Sequence, residues 1–409
     1  MALLSDPLPA AGPRTPPHIL TLVLLVGVST LSMNLFLPSL PAMAEWFAAD
    51  YALIQLSVGL YLGMNAVLQL VVGPLSDRYG RRPVILWGLA LFMLATLGCL
   101  WAPDVETFLA FRMAQAAVVV GMVLSRAIVR DLYPQDQAAS MLGWVTMGMS
   151  VVPMIGPWFG GMLEEAFGWQ SNFWLLLAAG AFMWALAWRD VGETAPTVTG
   201  SATASSFRDQ VRQYPDLLRS PRFWGYCLAS AFASGAFFAY LGGAPYVGAV
   251  IFGMTPAELG FFFGAPALGY FLGNAISGRY SASVGVDRMI LVGAVGQVTG
   301  LTLLAALIVA GVVDRWVFFG FITFVGLGNG MVIPNATAGM LSVRPHLAGT
   351  ASGLGGAMMI GGGAALSAVA GLVLTGTSPL PLVALMIGSG ASAVVAILLT
   401  IRRNRRLAA

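Results

Sequence analysis

Apolar runs of about 20 residues recur along the whole chain, and each is long enough to cross a bilayer as a helix. Twelve such runs, numbered here as spans 1 to 12, divide the 409 residues at 18–42, 52–74, 83–102, 106–130, 137–162, 170–189, 222–246, 256–279, 288–310, 315–341, 348–374 and 380–401. Backbone groups in lipid have to be satisfied within their own segment, so the spans are predicted to be helices. Only 9% of the residues are charged, whereas a soluble domain carries about 25%. The fold class is therefore predicted to be all-α integral membrane.

The basic residues predict the orientation of these helices. The chain has no lysine, so all 20 basic residues are arginines. If the N-terminus is cytoplasmic, eighteen arginines fall at inner positions, Arg315 falls outside, and Arg112 lies within a span. This distribution follows the positive-inside rule and predicts a multi-pass protein with both termini in the cytoplasm. The net charge of +3 thus reflects membrane orientation, and no nucleic-acid partner is expected. Cys99 and Cys227 both lie in spans, which predicts neither a disulfide framework nor a metal site.

One long polar interruption divides the spans into two groups of six. We predict a disordered cytoplasmic tail over 1–17, six-helix bundles over 18–190 and 222–401, a cytoplasmic linker over 191–221, and a basic cytoplasmic tail over 402–409. A shift of 205 residues places Gly73, Gly80 and Gly88 on Gly278, Gly285 and Gly293. Spans 1–3 therefore echo spans 7–9 in the same orientation. Parallel repeats of this kind are typical of transporters whose site lies between the repeats, near the membrane midplane.

The loop between spans 2 and 3 reads GPLSDRYGRRP, from Gly73 to Pro83. Its glycines allow a tight turn, and its arginines are typical of a cytoplasmic loop. With Gly73, Asp77, Arg78, Gly80 and Arg81 in place, this stretch resembles the G-x-L-x-D-R-x-G-R-R signature of the major facilitator superfamily. The resemblance implies a fold of two pseudo-symmetric six-helix bundles. It also implies that the loop is a conformational latch, in which the aspartate pairs across the bundle interface.

Two further stretches extend the resemblance. Arg112 and Gln115 in span 4 are similar to the superfamily's R-x-x-Q-G motif, although an alanine replaces the glycine. Gly156 and Pro157 in span 5 match a motif of superfamily exporters. Together with LFLPSLP in span 1 and RAIVRDLYP after span 4, these features resemble the bicyclomycin/chloramphenicol resistance family of drug:proton antiporters. That resemblance implies export from the cytoplasm through a bacterial inner membrane. We expect Arg126, Arg130 and Asp131, at the inner end of span 4, to act with Asp77 as gating residues.

Asn34 stands where the resembled family commonly has an aspartate in span 1. An amide can neither titrate nor pair with Arg112, and none of the 17 acidic residues lies in the middle of a span. Proton coupling would then have to use Asp77 or Asp131 at the inner rim, or an outer acid such as Glu45. The alternative is that transport is not driven by protons. An uncompensated Arg112 would favour anionic or electron-rich ligands.

The predicted substrate site follows from helical spacing. Ser57 and three larger polar residues recur every four positions in span 2, and such polar stripes face the interior of a membrane bundle. The site is predicted to comprise Asn34, Tyr61, Asn65, Gln69, Arg112, Gln115, Phe237, Tyr240, Tyr270, Asn274 and Met358. Each residue could instead serve packing between helices.

Two functions remain open on these observations. The first is a multidrug or antibiotic efflux transporter that works by alternating access and is proton-coupled. The second is a proton-independent transporter of a small organic anion or metabolite bound at Arg112. A membrane sensor or scaffold is disfavoured by the paired motifs. No nucleophile–base set, metal cluster or phosphate loop supports an enzyme. We expect a monomer in the lipid bilayer that binds a small molecule and needs no cofactor, with the proton as the one candidate coupling ion.

Overall fold

The computed structural model describes residues 17–132, 152–195 without 154, 215, 217–344 without 313, and 348–408 without 375. This part of the chain is helical, with loops between the helices and no strand. Eleven of its helices are long and apolar enough to cross a membrane. The twelfth predicted span, span 5, lies largely outside the described residues, as do most of the N-terminal tail and of the linker.

Spans 1–6 form what we call the N half. Its helices run over Ile19–Asn34 and Leu40–Trp46 (span 1), Tyr51–Tyr79 (span 2), Arg81–Leu100 (span 3), Val105–Gln115 and Val119–Leu132 (span 4), 155–167 (span 5) and Gln170–Asp190 (span 6). Short 3₁₀ turns at Leu37–Ser39 and Ala116–Val118 interrupt spans 1 and 4. The turn in span 1 contains Pro38, which has no N–H to donate and therefore interrupts the regular hydrogen-bond ladder there.

Spans 7–12 form the C half. They run over Pro221–Tyr246 with a π-helical turn at Val247–Ile251 (span 7), Pro256–Phe262 and Gly264–Val284 (span 8), Val286–Val309 (span 9), Arg315–Val343 (span 10), Ala348–Val373 (span 11) and Leu380–Ala408 (span 12). Span 12 is longer than its apolar run, because the helix continues through Arg402 and Arg406. The segment expected to be a separate basic tail is thus the last two turns of this helix.

The halves contact each other most closely at one end of the bundle. We call this the far end; it contains the connection between spans 1 and 2, at residues 47–50. The basic end is the opposite one and contains the loop with Arg78, Arg81 and Arg82. At the far end Tyr51 Oη donates to the carbonyl of Gly242 (3.0 Å), and Gln55 Nε2 donates to Ser367 Oγ (2.9 Å). These bonds tie span 2 to spans 7 and 11.

Spans 5 and 8 meet at the same end. Gly161 lies so close to the backbone carbonyl of Pro256 that a Cβ atom there would overlap it, and Gly260 meets the carbonyl of Pro157 in the same way. The amide of Ala257 also donates to Glu165 Oε1 (3.0 Å). Small residues permit this close approach of two helix backbones.

Candidate functional site

Arg112 is enclosed within the N half, with 0% of its surface exposed. Its guanidinium donates to the Ser32 carbonyl (2.7 Å) and to Gln115 Oε1 (2.6 Å). It also lies over two rings, 4.0 Å from the centroid of Tyr61 and 4.3 Å from that of Phe36. No carboxylate in the described part of the chain forms a salt bridge with it. The charge is therefore compensated by dipoles and ring faces, in contrast to the uncompensated arginine that the sequence suggested.

A chain of hydrogen bonds extends from Arg112 across four spans. Gln115 Nε2 donates to Thr96 Oγ1 (2.7 Å), which donates to the carbonyl of Phe92 (2.7 Å). On the other side Tyr61 Oη donates to Ser32 Oγ (3.4 Å). Sequence reasoning did not identify Ser32 or Thr96. The available signal was helical spacing, because Ser32 and Phe36 are four residues apart and so share the face of span 1 that meets Arg112.

Asn34 lies on a different face of span 1 from Ser32. Two residues correspond to a rotation of about 200° around a helix, so Asn34 and Ser32 point in nearly opposite directions. Asn34 is 1% exposed, and its Nδ2 donates to the Thr30 carbonyl of its own helix (2.8 Å). Within the described ranges its Oδ1 has no hydrogen-bond partner. Asn34 and Arg112 both belong to the predicted substrate site. In the structure they have separate hydrogen-bond partners, the carbonyls of Thr30 and Ser32.

The polar stripe of span 2 divides between two environments. Tyr61 joins the buried chain at Arg112, whereas Gln69, half-buried, donates to Asn65 Oδ1 (2.7 Å). Gln69 faces the C half, because its Oε1 lies 3.8 Å from where a Cβ of Gly356 in span 11 would be. Within this stripe, Gln69 thus reaches the boundary between the halves, whereas Tyr61 lies inside the N half.

In the C half, the predicted aromatic residues pack around Tyr240. The ring of Tyr240 is 0% exposed and lies 5.3 Å from Phe263 and 6.4 Å from Phe237, between centroids. Its hydroxyl has no partner among the residues that the structure describes. Met358 Sδ contacts Cys227 Sγ (3.5 Å) and so packs within the same half.

Tyr270 and Asn274 occupy successive turns of span 8, and Asn274 Nδ2 donates back to the Tyr270 carbonyl (2.8 Å). Tyr270 also interacts electrostatically with Arg126 of span 4, across the boundary between the halves. Arg126 is solvent-exposed although it lies within a membrane span. Residues of spans 2, 4, 8 and 11 therefore approach one another between the halves, toward the basic end.

Arg81 organises the basic end of the N half. Its Nη2 pairs with Asp77 Oδ1 (2.6 Å), and its Nε pairs with Asp131 Oδ2 (3.0 Å). It is buried and also donates to the Ser76 hydroxyl. The predicted cluster of Asp77 with Asp131 therefore forms through Arg81, within the N half, and Arg126 interacts electrostatically with Tyr270. The side chain of Arg130 lies outside the described residues.

Glu193, just beyond span 6, is a member of this cluster that the sequence did not indicate. Its Oε1 accepts from the backbone amide of Arg81 (2.8 Å) and its Oε2 from that of Arg82 (3.3 Å). The carboxylate thus caps the first turn of span 3, where free amides and the helix dipole favour an anion. Gly80 makes room for it with φ +100°, and a Cβ there would overlap the carboxylate.

The remaining gating predictions lie in spans 2 and 5, exposed or half-buried in span 2 and buried in span 5. Arg78 is exposed beside the ring of Tyr79 (5.3 Å), and a Cβ at Gly73 would meet open space. Gly156 approaches Leu31 of span 1, whereas the carbonyl of Pro157 contacts Gly260 of the C half.

Comparison with known proteins settles the family. The pattern described as Major Facilitator Superfamily matches residues 22–368. The chain belongs to this superfamily. Its relatives are transporters rather than enzymes, and the fold predicted from the sequence is confirmed.

The superfamily members to which this chain is similar include drug-resistance proteins. It is 32% identical to "Multidrug resistance protein D" of Escherichia coli strain K12, over 90% of this chain and 92% of the relative. It is 29% identical to the "Chloramphenicol resistance protein" of Pseudomonas aeruginosa, over 81% of this chain and 79% of the relative. The resemblance to the bicyclomycin/chloramphenicol resistance family is thereby confirmed.

A solved superfamily structure shows the same fold. It is a bacterial homologue of the human lysosomal transporter Spinster, crystallised in an inward-facing and occupied conformation. The TM-score is 0.75 at 16% identity, covering 96% of this chain and 98% of the other. The two halves of this chain correspond to the two bundles of the superfamily fold. Gln69, Arg126 and Tyr270 lie at the boundary between them.

Proposed function

We propose that this protein exports small, fairly apolar compounds, including antibiotics of the chloramphenicol or bicyclomycin kind, across a bacterial inner membrane by alternating access. The observation that carries the proposal is the arrangement of the halves. They are hydrogen-bonded at the far end through Tyr51 and Gln55. Toward the basic end, the side chain of Arg126 at their boundary is exposed. The positive-inside rule assigns the basic end to the cytoplasm, so this arrangement corresponds to an inward-facing state.

Apart from Arg126, the side chains named at this boundary are neutral and suit an uncharged substrate. Gln69 and Asn65 offer neutral hydrogen-bonding groups, and Phe237, half-buried, offers a ring face. Arg112, which the anion hypothesis requires, is already held by Ser32, Gln115 and two rings. An anion would have to displace these partners to reach it. The export of neutral or weakly charged compounds is therefore the better supported of the two hypotheses.

We propose Asp77 and Asp131 as the groups that couple transport to protons at the cytoplasmic rim. One guanidinium, that of Arg81, pairs with both carboxylates. Protonation of either carboxylate leaves Arg81 with one ionic partner in place of two. The contact between span 4 and the loop that joins spans 2 and 3 is then weaker. Removing one partner of a buried ion pair is costly. The loop is therefore stable in this conformation when both carboxylates are charged, and it rearranges when one of them is protonated.

Efflux from a bacterial host that lacks its own drug pumps tests this function. Cells producing the protein are expected to retain less chloramphenicol than cells producing the Gln69→Leu variant, with Gln170→Leu, a glutamine at the far end of span 6, as the matched control. In inverted vesicles, collapsing the pH gradient is expected to stop drug uptake. Drug retention in cells producing the unmodified protein that equals retention in the host without it would overturn the export proposal. Uptake that is indifferent to the gradient would overturn only its proton coupling.

A further inference from the structure

A buried carboxylic acid lies beside the far-end contact between the halves and has no part in the mechanism described so far. Glu164 follows span 5, in the last turns of the helix over 155–167, and is only 9% exposed. The Ser39 hydroxyl neighbours its carboxyl group, and Ser39 Oγ accepts from Asn172 Nδ2 (2.9 Å). Its Oε2 is buried and has no partner in the part of the chain that the structure describes.

The position of Glu164 connects it to the contact between spans 5 and 8. Gly161, one turn earlier, packs on the Pro256 carbonyl of the C half, and the neighbouring Glu165 accepts from the Ala257 amide. The turn that carries Ser39, Leu37–Ser39, packs on the helix Pro256–Phe262 of span 8. Separating spans 5 and 8 would therefore remove span 8 from the two N-half elements that carry Glu164 and Ser39.

Burial and the neighbouring charges favour the neutral form of Glu164 while spans 5 and 8 are packed together, and the Ser39 hydroxyl opposes them. On its own helix Glu165 contributes a like charge, and span 1 contributes the Ser39 hydroxyl; the other acid of span 1, Glu45, is exposed. Span 6 contributes the neutral Asn172. Glu258 of span 8 is already paired with Arg315 of span 10 (3.0 Å). A single ionised carboxylate enclosed here would leave one oxygen unsolvated, which is costly.

We propose that Glu164 is a proton-binding switch of the far-end gate, protonated while spans 5 and 8 are packed together and ionised once they separate. The proposal rests on the alternating-access function above. The proton comes from water on the far side of the membrane and returns to it, so Glu164 regulates the gate without carrying protons across. Acid on that side then holds the gate closed.

The direction of the effect follows from linkage. Burial, with the neighbouring Glu165 adding to it, raises the pKa of Glu164 from 4.5 to about 7. A group whose pKa is higher in the closed state stabilises that state fully below its open-state pKa, and this stabilisation is lost as pH rises through the closed-state pKa. The closed:open ratio is therefore expected to fall between pH 5 and pH 8, by on the order of 10- to 100-fold.

Distances between spin labels at the far end test the proposal in the full-length protein in lipid nanodiscs. Phe167→Cys in the N half and Val312→Cys in the C half are suitable label sites, because both positions are exposed. The protein without added cysteines controls for labelling of the buried Cys99 and Cys227. From pH 5 to pH 8 we expect the population at the longer distance to grow.

Two variants identify Glu164 as the titrating group. Glu164→Gln is permanently neutral, so its distances are expected to stay short at every pH. Glu106→Gln, which removes the same charge from an exposed position at the far end, outside the contact between spans 5 and 8, is expected to keep the pH dependence. Ser39→Ala removes the hydrogen bond that favours the ionised form and is expected to move the midpoint to higher pH.

Distances that do not change with pH, or a Glu164→Gln variant that responds as the unmodified protein does, would overturn the switch. Drug export is measured separately, so the two proposals can fail independently. A protein that exports drugs with a pH-independent gate loses only the switch, and one whose gate responds to pH without exporting drugs loses only the proposed function.

Discussion

The Arg112 guanidinium stacks on the ring of Tyr61, with 4.0 Å between its central carbon and the ring centroid. Both side chains are fully buried. In the described part of the chain Nε of Arg112 has no hydrogen-bond partner, so the ring face is one of the few groups that stabilise this buried charge. The hydroxyl of Tyr61 contributes less, because its bond to Ser32 Oγ is 3.4 Å long.

We therefore expect the ring of Tyr61 to matter more than its hydroxyl. Tyr61→Leu removes the ring face and should lower the free energy of unfolding by about 2 kcal/mol or more, the strength of a desolvated cation–π contact. Tyr61→Phe keeps the ring and should stay within about 1 kcal/mol of the unmodified protein. Thermal unfolding in detergent measures both. Equal losses in the two variants would contradict this assignment.

The backbone at Gly80 is expected to tolerate no side chain. Gly80→Ala places a Cβ against the Glu193 carboxylate in a residue with φ +100°, so the loop should lose the cap on span 3 as well as incur strain of about 1–3 kcal/mol. Gly73→Ala is the matched control, because a Cβ there meets open space. Unfolding temperatures should fall for the first variant and hardly change for the second. The reverse order would show that Glu193 does not occupy this position.

The far-end contact between spans 5 and 8 should open when either glycine gains a methyl group. Gly161→Ala and Gly260→Ala each direct a Cβ into the backbone carbonyl of the opposite half, and backbone cannot move aside without displacing its whole helix. Labels at positions 167 and 312 should then separate at neutral pH. Gly388→Ala in span 12 meets nothing within 4 Å and should leave the distance unchanged. Short distances in all three variants would exclude this contact as the gate.

Restoring an acid in span 1 should add a pH-dependent step to transport. The Asn34 amide donates to the Thr30 carbonyl in a site that is 1% exposed. An aspartate there can make this bond only when it is protonated, and burial of an unpaired charge is costly. Drug uptake into inverted vesicles by Asn34→Asp should therefore depend more steeply on pH than uptake by the unmodified protein. Asn34→Ser, which keeps a donor but cannot ionise, should show no such change.

The sequence predicts the parts of this fold that depend on local chemistry. Apolar length identifies the spans because backbone in lipid has to be helical. The loop is predicted to be a latch whose aspartate pairs across the bundle interface, whereas the ion pair of Asp77 with Arg81 lies within the N half. They are four positions apart in sequence, so one helical turn brings them together.

Contacts set by the rotation and packing of helices were beyond the sequence. Whether Ser32 or Asn34 meets Arg112 depends on how span 1 is turned about its axis. Glu193 reaches Arg81 across 112 positions, with no local pattern to indicate it. In the sequence, nothing distinguishes Glu164 from other acids near helix ends. Its burial and its neighbour Ser39 depend on how spans 1, 5 and 6 pack.

The hydrogen bonds from span 3 to Glu193 also fix the start of the linker between the N half and the C half. Its carboxylate binds the amides of Arg81 and Arg82 and also those of Thr194 and Ala195. The first residues of the linker are thus bound to the N half and should move with it as a rigid unit. A fluorophore attached at residue 192, which is exposed, would therefore report the movement of that bundle alone.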